Sequence, residues 1–466
     1  MNISESVDRL NKMIEDVGAS FIDLKFCDLY GRWHHLTIDT SIIGEKLFTV
    51  GIGIDGSSMG YKSIESGDLT IIPDINTAFV DPFYDLPTIS MICDITESSI
   101  EKPFQLDPRF IARKCESYLS NTVNGATALF SPEFEFYLFD EVEIAVKPHY
   151  SCFSLLSLEE DETGRGADIR HQEGYHHIPP ADAFNNFRNN LSMMLKEANI
   201  PLKYHHHEVG AMGQQEIELG FLPLLNMADN VMMVKYFVRN LAYKEGISAT
   251  FMPKPIQNAS GSGMHIHLYL EKDGNSLFYD GSKPSCLSDT GMKYIGGILK
   301  NGKALFAFTN PSVNSYKRLC PHYEAPEYLF HSEANRTAAI RIPSYAKNPQ
   351  EMRIEYRPSD ATANPYLSFS ALLLAGLYGI RTDIQAPDLV VGDFESQPSK
   401  VKKRFDRVPS NLKEALDALK REHEFLMVDN IFTEELINAW ILLKSSEIDM
   451  IEKGISPMEF YLYYDT

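Results

Sequence analysis

The chain has 466 residues, 44% of them hydrophobic and 23% charged. That is long enough for about two to four domains with a large buried core, and it excludes a disordered or fibrous chain. Lys and Arg number 43 against 64 Asp and Glu, a net charge of −21. The balance argues against a nucleic-acid partner and against a polybasic membrane anchor. A small anionic substrate stays open, because local arginines or bound cations can reverse the sign inside one pocket.

The first residues, Met1 to Gly18, are polar with helical apolar spacing and lack the apolar stretch of a secretory signal. Six scattered cysteines form no CxxC pair, so a reducing, cytoplasmic setting is expected. Ser20 to Cys27 and Trp33 to Thr37 alternate around the turn Asp28-Leu29-Tyr30-Gly31, which predicts a hairpin. Short strands follow at Leu69–Ile72 and Thr88–Cys93. At Asp107-Pro108 the pattern changes to a capped helix start. Helices are then predicted near 108–121, 180–198, 225–245, 287–308 and 364–380. Strands are predicted near 126–139, 201–209, 248–253, 262–271 and 351–357. The apolar run Pro365–Ile380 is shorter than the ~20 residues of a spanning helix and reads as a core helix. The tail after Pro409 reads as helical.

Two phosphate-loop motifs fail on context. Gly51-Ile52-Gly53-Ile54-Asp55-Gly56 fits G-x-G-x-x-G, but Ser57-Ser58-Met59-Gly60 does not start a helix. Gly297 to Ala304 resembles a P-loop one residue short, lacks the hydroxyl that would hold magnesium, and sits inside a helical pattern.

The carboxylates carry more. Glu133 and Glu135 share one face of a strand whose aromatics take the other. Taken alone, a solvated outer face explains them equally well. His205-His206-His207-Glu208 leads to Gly213-Gln214-Gln215-Glu216, and His265 and His267 share a face after Gly261-Ser262-Gly263. Arg353, Glu355 and Arg357 share a face of a further strand. Carboxylates with an imidazole suit hard divalent cations, magnesium or manganese. Zinc on the His205–His207 run is disfavoured, since adjacent strand residues point opposite ways. Arg318, Arg336 and Arg341 lie close together among apolar residues, as for an anion site.

In this order the segments resemble the type I glutamine synthetase family along nearly the whole chain. The resemblance rests on Phe21–Phe26 with Gly31–His35, Asp55-Gly56-Ser57-Ser58, Glu133 and Glu135, and Glu208 and Glu216, eight residues apart. It continues through Gly261–His267, Asn314–Arg318, Tyr323–Pro326, Asn335-Arg336, Glu355 with Arg357, and Pro457–Tyr464. It implies an α+β fold: a β-grasp domain over 17–103 and a catalytic domain over 107–466, with a curved antiparallel sheet and surrounding helices. The implied reaction joins glutamate and ammonia, using ATP as co-substrate, through γ-glutamyl phosphate. Two to three magnesium or manganese ions per active site are implied, one on Glu135, Glu208 and Glu216, another on Glu133, His265 and Glu355.

By the same resemblance, Arg336 would stabilise the transferring phosphoryl group, and Arg341 and Arg353 would hold ATP phosphates. His267 would contact the nucleotide, and Arg318 and Arg357 the glutamate carboxylates, with Ser260 and Gly261 beside the amino acid. Asp55 would take a proton from ammonium, with Ser58, Tyr175 and Glu324 completing that pocket. A homododecamer of two stacked hexamers is implied, with active sites shared between neighbours. The sequence departs from the family at Ser260, Lys203, Tyr269 and His322, and modestly over Met59-Gly60-Tyr61-Lys62. Residues 393–409 lack the tyrosine that is modified in some members. Ser260 and His322 raise a second reading, an organic amine or polyamine as acceptor. A catalytically silent structural paralogue is a third, which the complete ligand set opposes.

Overall fold

The computed structural model describes residues 2–464 except 60, 62–66, 99–101, 124, 160–168, 321–322, 393 and 395. The helix Ile3–Val17 precedes a mixed sheet. Its longer strands are Phe21–Cys27 (β1), Trp33–Asp39 (β2), Ile52–Asp55 (β3), Asp68–Pro73 (β4) and Thr88–Glu97 (β5), and the short strands Phe79–Val80 and Lys102–Pro103 pair with β5. Their order is β2-β1-β5-β4-β3, with β1 and β5 parallel. The expected hairpin is β1–β2, and its turn needs Gly31 in the left-handed region (φ 79°). A β-carbon there would also lie 2.9 Å from the Asn364 α-carbon. Asn364 donates to the Asp28 and Leu29 carbonyls, so this turn is one anchor between the two parts of the chain. Buried Arg109 is a second, clamping Asp74, Asp94 and Asp229.

The larger sheet takes Thr127–Phe139 (β6), Leu202–His207 (β7), Gln214–Leu219 (β8), Met264–Lys272 (β9), His331–Glu333 (β10), Ile340–Ile342 (β11) and Ile354–Tyr356 (β12). The order is β7-β8-β6-β9-β12-β11-β10, antiparallel except for the β10–β11 pair. Alternation along β6 decides what each face does. Phe130, Phe134 and Phe136 are fully buried, and Phe130 stacks on Phe369 at 4.9 Å. Phe369 belongs to the helix Pro365–Arg381, the apolar run read as a core helix. No helix among the described residues is long and apolar enough to cross a membrane. Glu133 and Glu135 take the opposite face of β6.

Several boundaries differ from the sequence reading. The helix expected over 287–308 is two, Asp289–Lys300 and Gly302–Thr309, separated at Asn301. The helix expected from 180 begins at Asn185. The P-loop-like glycines are packing residues: a β-carbon on Gly297 would lie 2.1 Å from the Ala375 carbonyl oxygen. Gly51–Gly56 runs through β3 into a 3₁₀ turn, Gly56–Met59. An unanticipated hairpin, Glu141–Lys147 with Tyr150–Leu156, projects Ile144, Val146 and Phe153, each more than two-thirds exposed.

Candidate active site

The cross-strand register gathers the carboxylates. Glu133 lies opposite both Glu218 and His265, Glu135 opposite Glu216, Glu216 opposite His206, and Glu355 opposite His267 and Arg341. Facing partners in antiparallel pairs share a sheet face, so these groups form one wall. The wall borders a cavity of about 1110 Å³ that also meets Tyr175, Ser260, Gly261, Arg318, Glu324, Arg336 and Arg357.

Among the described residues, three sets of donor atoms come within 4.8 Å of one another: Glu133, His265 and Glu355; His206, Glu208 and Glu216; and Glu133, Glu218 and His267. The first is the set implied by the family resemblance. In the second, His206 stands where Glu135 was expected. Glu135 instead accepts the Gly263 N–H at 2.8 Å. The histidine run divides as strand alternation requires. His206 Nε2 lies 3.3 Å from Glu216, while His205 accepts from Arg188 and His207 pairs with Glu159 at 2.9 Å.

The loop before β9 is fixed from several sides. Tyr137 donates to the Ser260 carbonyl at 2.7 Å and Gln214 to the Gly261 carbonyl at 3.1 Å. A β-carbon on Gly263 would lie 2.5 Å from Arg318 Nη2 and 2.8 Å from His265 Nε2, so any larger residue would displace both. Buried Arg318 donates to the Pro358 carbonyl at 2.8 Å and reaches His265 Nε2 at 3.1 Å. The Ser260 hydroxyl donates to Gln172 at 2.7 Å.

The electrostatics differ along the wall. Burial, then the facing Glu135 and Glu216, push the Glu208 carboxyl well above its ordinary range. Burial, then Glu133 and Glu135, do the same to Glu216. Burial would also raise Glu355, but Arg357 and His267 outweigh it and bring its pKa to about 2. Glu133 is likewise held low by His267 and His265 against the cost of its burial. Crowded carboxylates with raised pKa values are the chemistry of a cation site. Glu208, Glu216 and His206, with Glu133, His265 and Glu355, therefore fit divalent ions.

At the mouth, exposed Arg336 lies 3.6 Å from Glu324, and Tyr175 bonds to the same guanidinium. Asp55 and Ser58 do not border the cavity. Asp55 is on the surface, where Ser57 and Ser58 donate to it at 2.6 and 2.7 Å. His267 and Arg353 do not border the cavity. His267 Nε2 is 2.7 Å from Glu133, and Arg353 lies against Phe221 and Tyr345. His322, on which an organic-amine acceptor would turn, lies outside the described residues, as do Gly60, Lys62 and Asp393.

Comparisons with known proteins agree along the full length. A family profile described as "Glutamine synthetase, catalytic domain" matches residues 105–463, and one described as "Glutamine synthetase, beta-Grasp domain" matches 18–98. The chain belongs to the glutamine synthetase family. It is 44% identical to a glutamine synthetase of Aquifex aeolicus over 97% of each chain. It is 43% identical to that of Frankia alni over 97% of this chain and 98% of the relative. The fold matches a Plasmodium falciparum glutamine synthetase structure with a TM-score of 0.90 and 27% identity, covering 100% of this chain and 99% of that one. These glutamine synthetases are ATP- and divalent-metal-dependent as a family.

Sequence reasoning missed two wall residues, Glu218 and His206. Each has a signal. Glu218 is two residues after Glu216 on the same strand, and His206 two before Glu208, so both belong to a face already identified.

Proposed function

We propose that this chain is an ATP-dependent ligase that forms glutamine from glutamate and ammonia, with the chemistry placed on the wall described above. The observation that carries the placement is a cavity in which buried carboxylates able to hold cations meet the buried Arg318 and Arg357 and the exposed Arg336. A carboxylate is a poor acyl acceptor for an amine, so it must be activated. The glutamate γ-carboxylate oxygen attacks the ATP γ-phosphorus, the bond to ADP breaks, and γ-glutamyl phosphate forms. The nitrogen of ammonia then attacks the γ-carbon and phosphate leaves.

Magnesium or manganese, when bound, would neutralise phosphoryl charge during the transfer. Glu133, His265 and Glu355 would hold one ion. Glu208 and Glu216, with His206 or Glu135, would hold another. Arg336 stabilises the transferring phosphoryl group, Arg341 and Arg353 hold ATP phosphates, and His267 supports the nucleotide side through Glu133. Arg318 and Arg357 receive the glutamate carboxylates beside Ser260 and Gly261. Tyr175 and Glu324 close the acceptor pocket, and Glu324 keeps water from the acyl phosphate.

Asp55, assisted by Ser58, takes the ammonium proton. It must come from a neighbouring copy, because it lies outside its own cavity. That requirement supports a homo-oligomer, a dodecamer of two stacked hexamers. The exposed hairpin at 141–156 and the C-terminal helix Pro457–Tyr463, with Phe460 57% and Tyr461 83% exposed, give it apolar surface to bury. The setting is the cytoplasm.

The test is phosphate release from ATP with glutamate and magnesium, varying the acceptor. The expected result is a higher kcat/KM for ammonium than for any amine or polyamine. A preference for an amine moves the reading to a γ-glutamyl amide ligase. No release with any acceptor overturns it. Light scattering of the purified protein checks the assembly.

A further inference from the structure

Residues 258–261 lead the chain towards β9, and each of their four carbonyls accepts a hydrogen bond from a side chain. Gln172 donates to the Asn258 carbonyl at 3.3 Å, Lys254 to that of Ala259, Tyr137 to that of Ser260 at 2.7 Å and Gln214 to that of Gly261 at 3.1 Å. The Ser260 hydroxyl differs from these carbonyls, because it can donate or accept. Gln172 settles which. A carbonyl only accepts, so the amide that reaches Asn258 turns its NH2 there and its oxygen towards the Ser260 hydroxyl, 2.7 Å away. The Ser260 proton is thereby taken by Gln172, and Oγ keeps only lone pairs for the cavity that both residues border.

The backbone bends to make this clip. Gln172 and Asn258 both lie in the left-handed region, at φ 64° and 61°, which is uncommon for residues that carry a side chain. A β-carbon on Gly261 would lie 2.7 Å from Arg318 Cγ, so Ser260 is one residue from the arginine proposed to receive a glutamate carboxylate. An oxygen that only accepts, beside such an arginine, suits the ammonium group of an α-amino acid, which only donates. We infer that Gln172 is a positioning residue for amino-acid recognition: it holds Ser260 Oγ as an acceptor for the substrate's α-ammonium group. The pocket then takes an amino dicarboxylate in preference to the same dicarboxylate without the amino group. The inference rests on the proposal that Arg318 and Arg357 receive the glutamate carboxylates. Without Gln172, the hydroxyl is free to turn its proton towards the ammonium group and repel it.

The test compares two dicarboxylates. The glutamate KM is measured by phosphate release, and glutarate, which lacks the amino group, is measured as a competitive inhibitor of the same reaction. Gln172→Met keeps the length of the side chain without its amide. It is expected to raise the glutamate KM about tenfold, the order of one lost hydrogen bond to a charged group, with the glutarate inhibition constant and the ATP KM unchanged. Ser260→Ala is expected to do the same, and the double variant to be no worse than either, because Gln172 acts through Ser260. Gln172→Leu repeats the comparison should Gln172→Met not fold. An unchanged glutamate KM, equal losses for glutamate and glutarate, or losses that add in the double variant overturn the inference. A wild type that glutarate does not inhibit overturns instead the placement of the carboxylates on Arg318 and Arg357.

Discussion

The two ends of the catalytic sheet treat buried carboxylates in opposite ways. At the β12 end, Glu355 is fully buried yet carries its charge, because Arg341 and Arg357 both contact it. At the β7–β8 end, Glu208 and Glu216 face Glu133 and Glu135 with only one close imidazole, and their pKa values are driven up. One end brings its own cations on the chain. The other must import them or take up protons. The sheet thus carries two unlike donor sets: Glu208 and Glu216 lack a cation on the chain, whereas Glu355, in the set with Glu133 and His265, already meets two arginines.

Breaking the self-sufficient end has the largest expected effect. Arg357→Met leaves Glu355 buried without the largest of the charges that offset its burial, with His267 and Arg341 remaining. Removing one partner of a buried pair costs about 3–5 kcal/mol. The urea midpoint of metal-free protein is expected to fall accordingly, and saturating magnesium to restore only part of it. A midpoint within error of the wild type would mean that Arg341 and His267 suffice for Glu355.

The importing end is expected to respond with the opposite sign. Glu216→Gln removes one of several repelling carboxylates, so the metal-free protein is expected to gain stability. The same change removes a ligand, so the stabilisation by added magnesium shrinks. Thermal unfolding with and without magnesium reads both. A loss of metal-free stability would place the Glu216 charge among the stabilising ones and erase the contrast between the two ends.

Acidity separates the ends without mutation. The folded pKa values of Glu208 and Glu216 lie above the ordinary 4.5, so the folded state binds the extra protons. Their contribution is present below 4.5 and is lost as pH rises through the raised values. Glu355 runs the other way: its contribution is present above 4.5 and is lost as pH falls towards about 2. Metal-free stability is therefore expected to decline from mildly acidic pH upward, and magnesium to flatten that decline. Urea midpoints against pH, with chelator or magnesium, check it. A decline that magnesium does not touch would locate its origin elsewhere.

Much of this was legible in the residues. Period-two alternation put Glu133 and Glu135 on one face and the phenylalanines on the other, because strand geometry leaves no third choice. Asp107 capping the helix at Pro108 was legible for the same local reason. The partition of ligands between ions was not, since it depends on which strands become neighbours. His206 meets Glu216 only through the β7–β8 register. Lys203 reaches Glu218 only because β7 carries a bulge, and nothing in a one-dimensional pattern marks an unpaired residue. The break at Asn301 did carry a local signal, the turn dipeptide Asn301-Gly302, outweighed by the apolar pattern on both sides.

The smallest effect is expected at Asp55, which does not border the cavity. It is exposed, and the hydroxyls of Ser57 and then Ser58 lower its pKa, holding it ionised and ready to accept a proton. Ser58→Ala removes one hydroxyl, while Ser57 still donates through both its hydroxyl and its N–H, at 2.6 and 2.9 Å. The carboxyl therefore rises only part of the way to its ordinary value. If Asp55 receives the ammonium proton, the acid limb of kcat/KM for ammonium shifts upward by a fraction of a pH unit. The limb for ATP at saturating ammonium, and the urea midpoint, should not move. A shift in the ammonium limb alone ties Asp55 to the acceptor step although it lies outside its own cavity, whereas equal shifts in both limbs would assign the titration to another group.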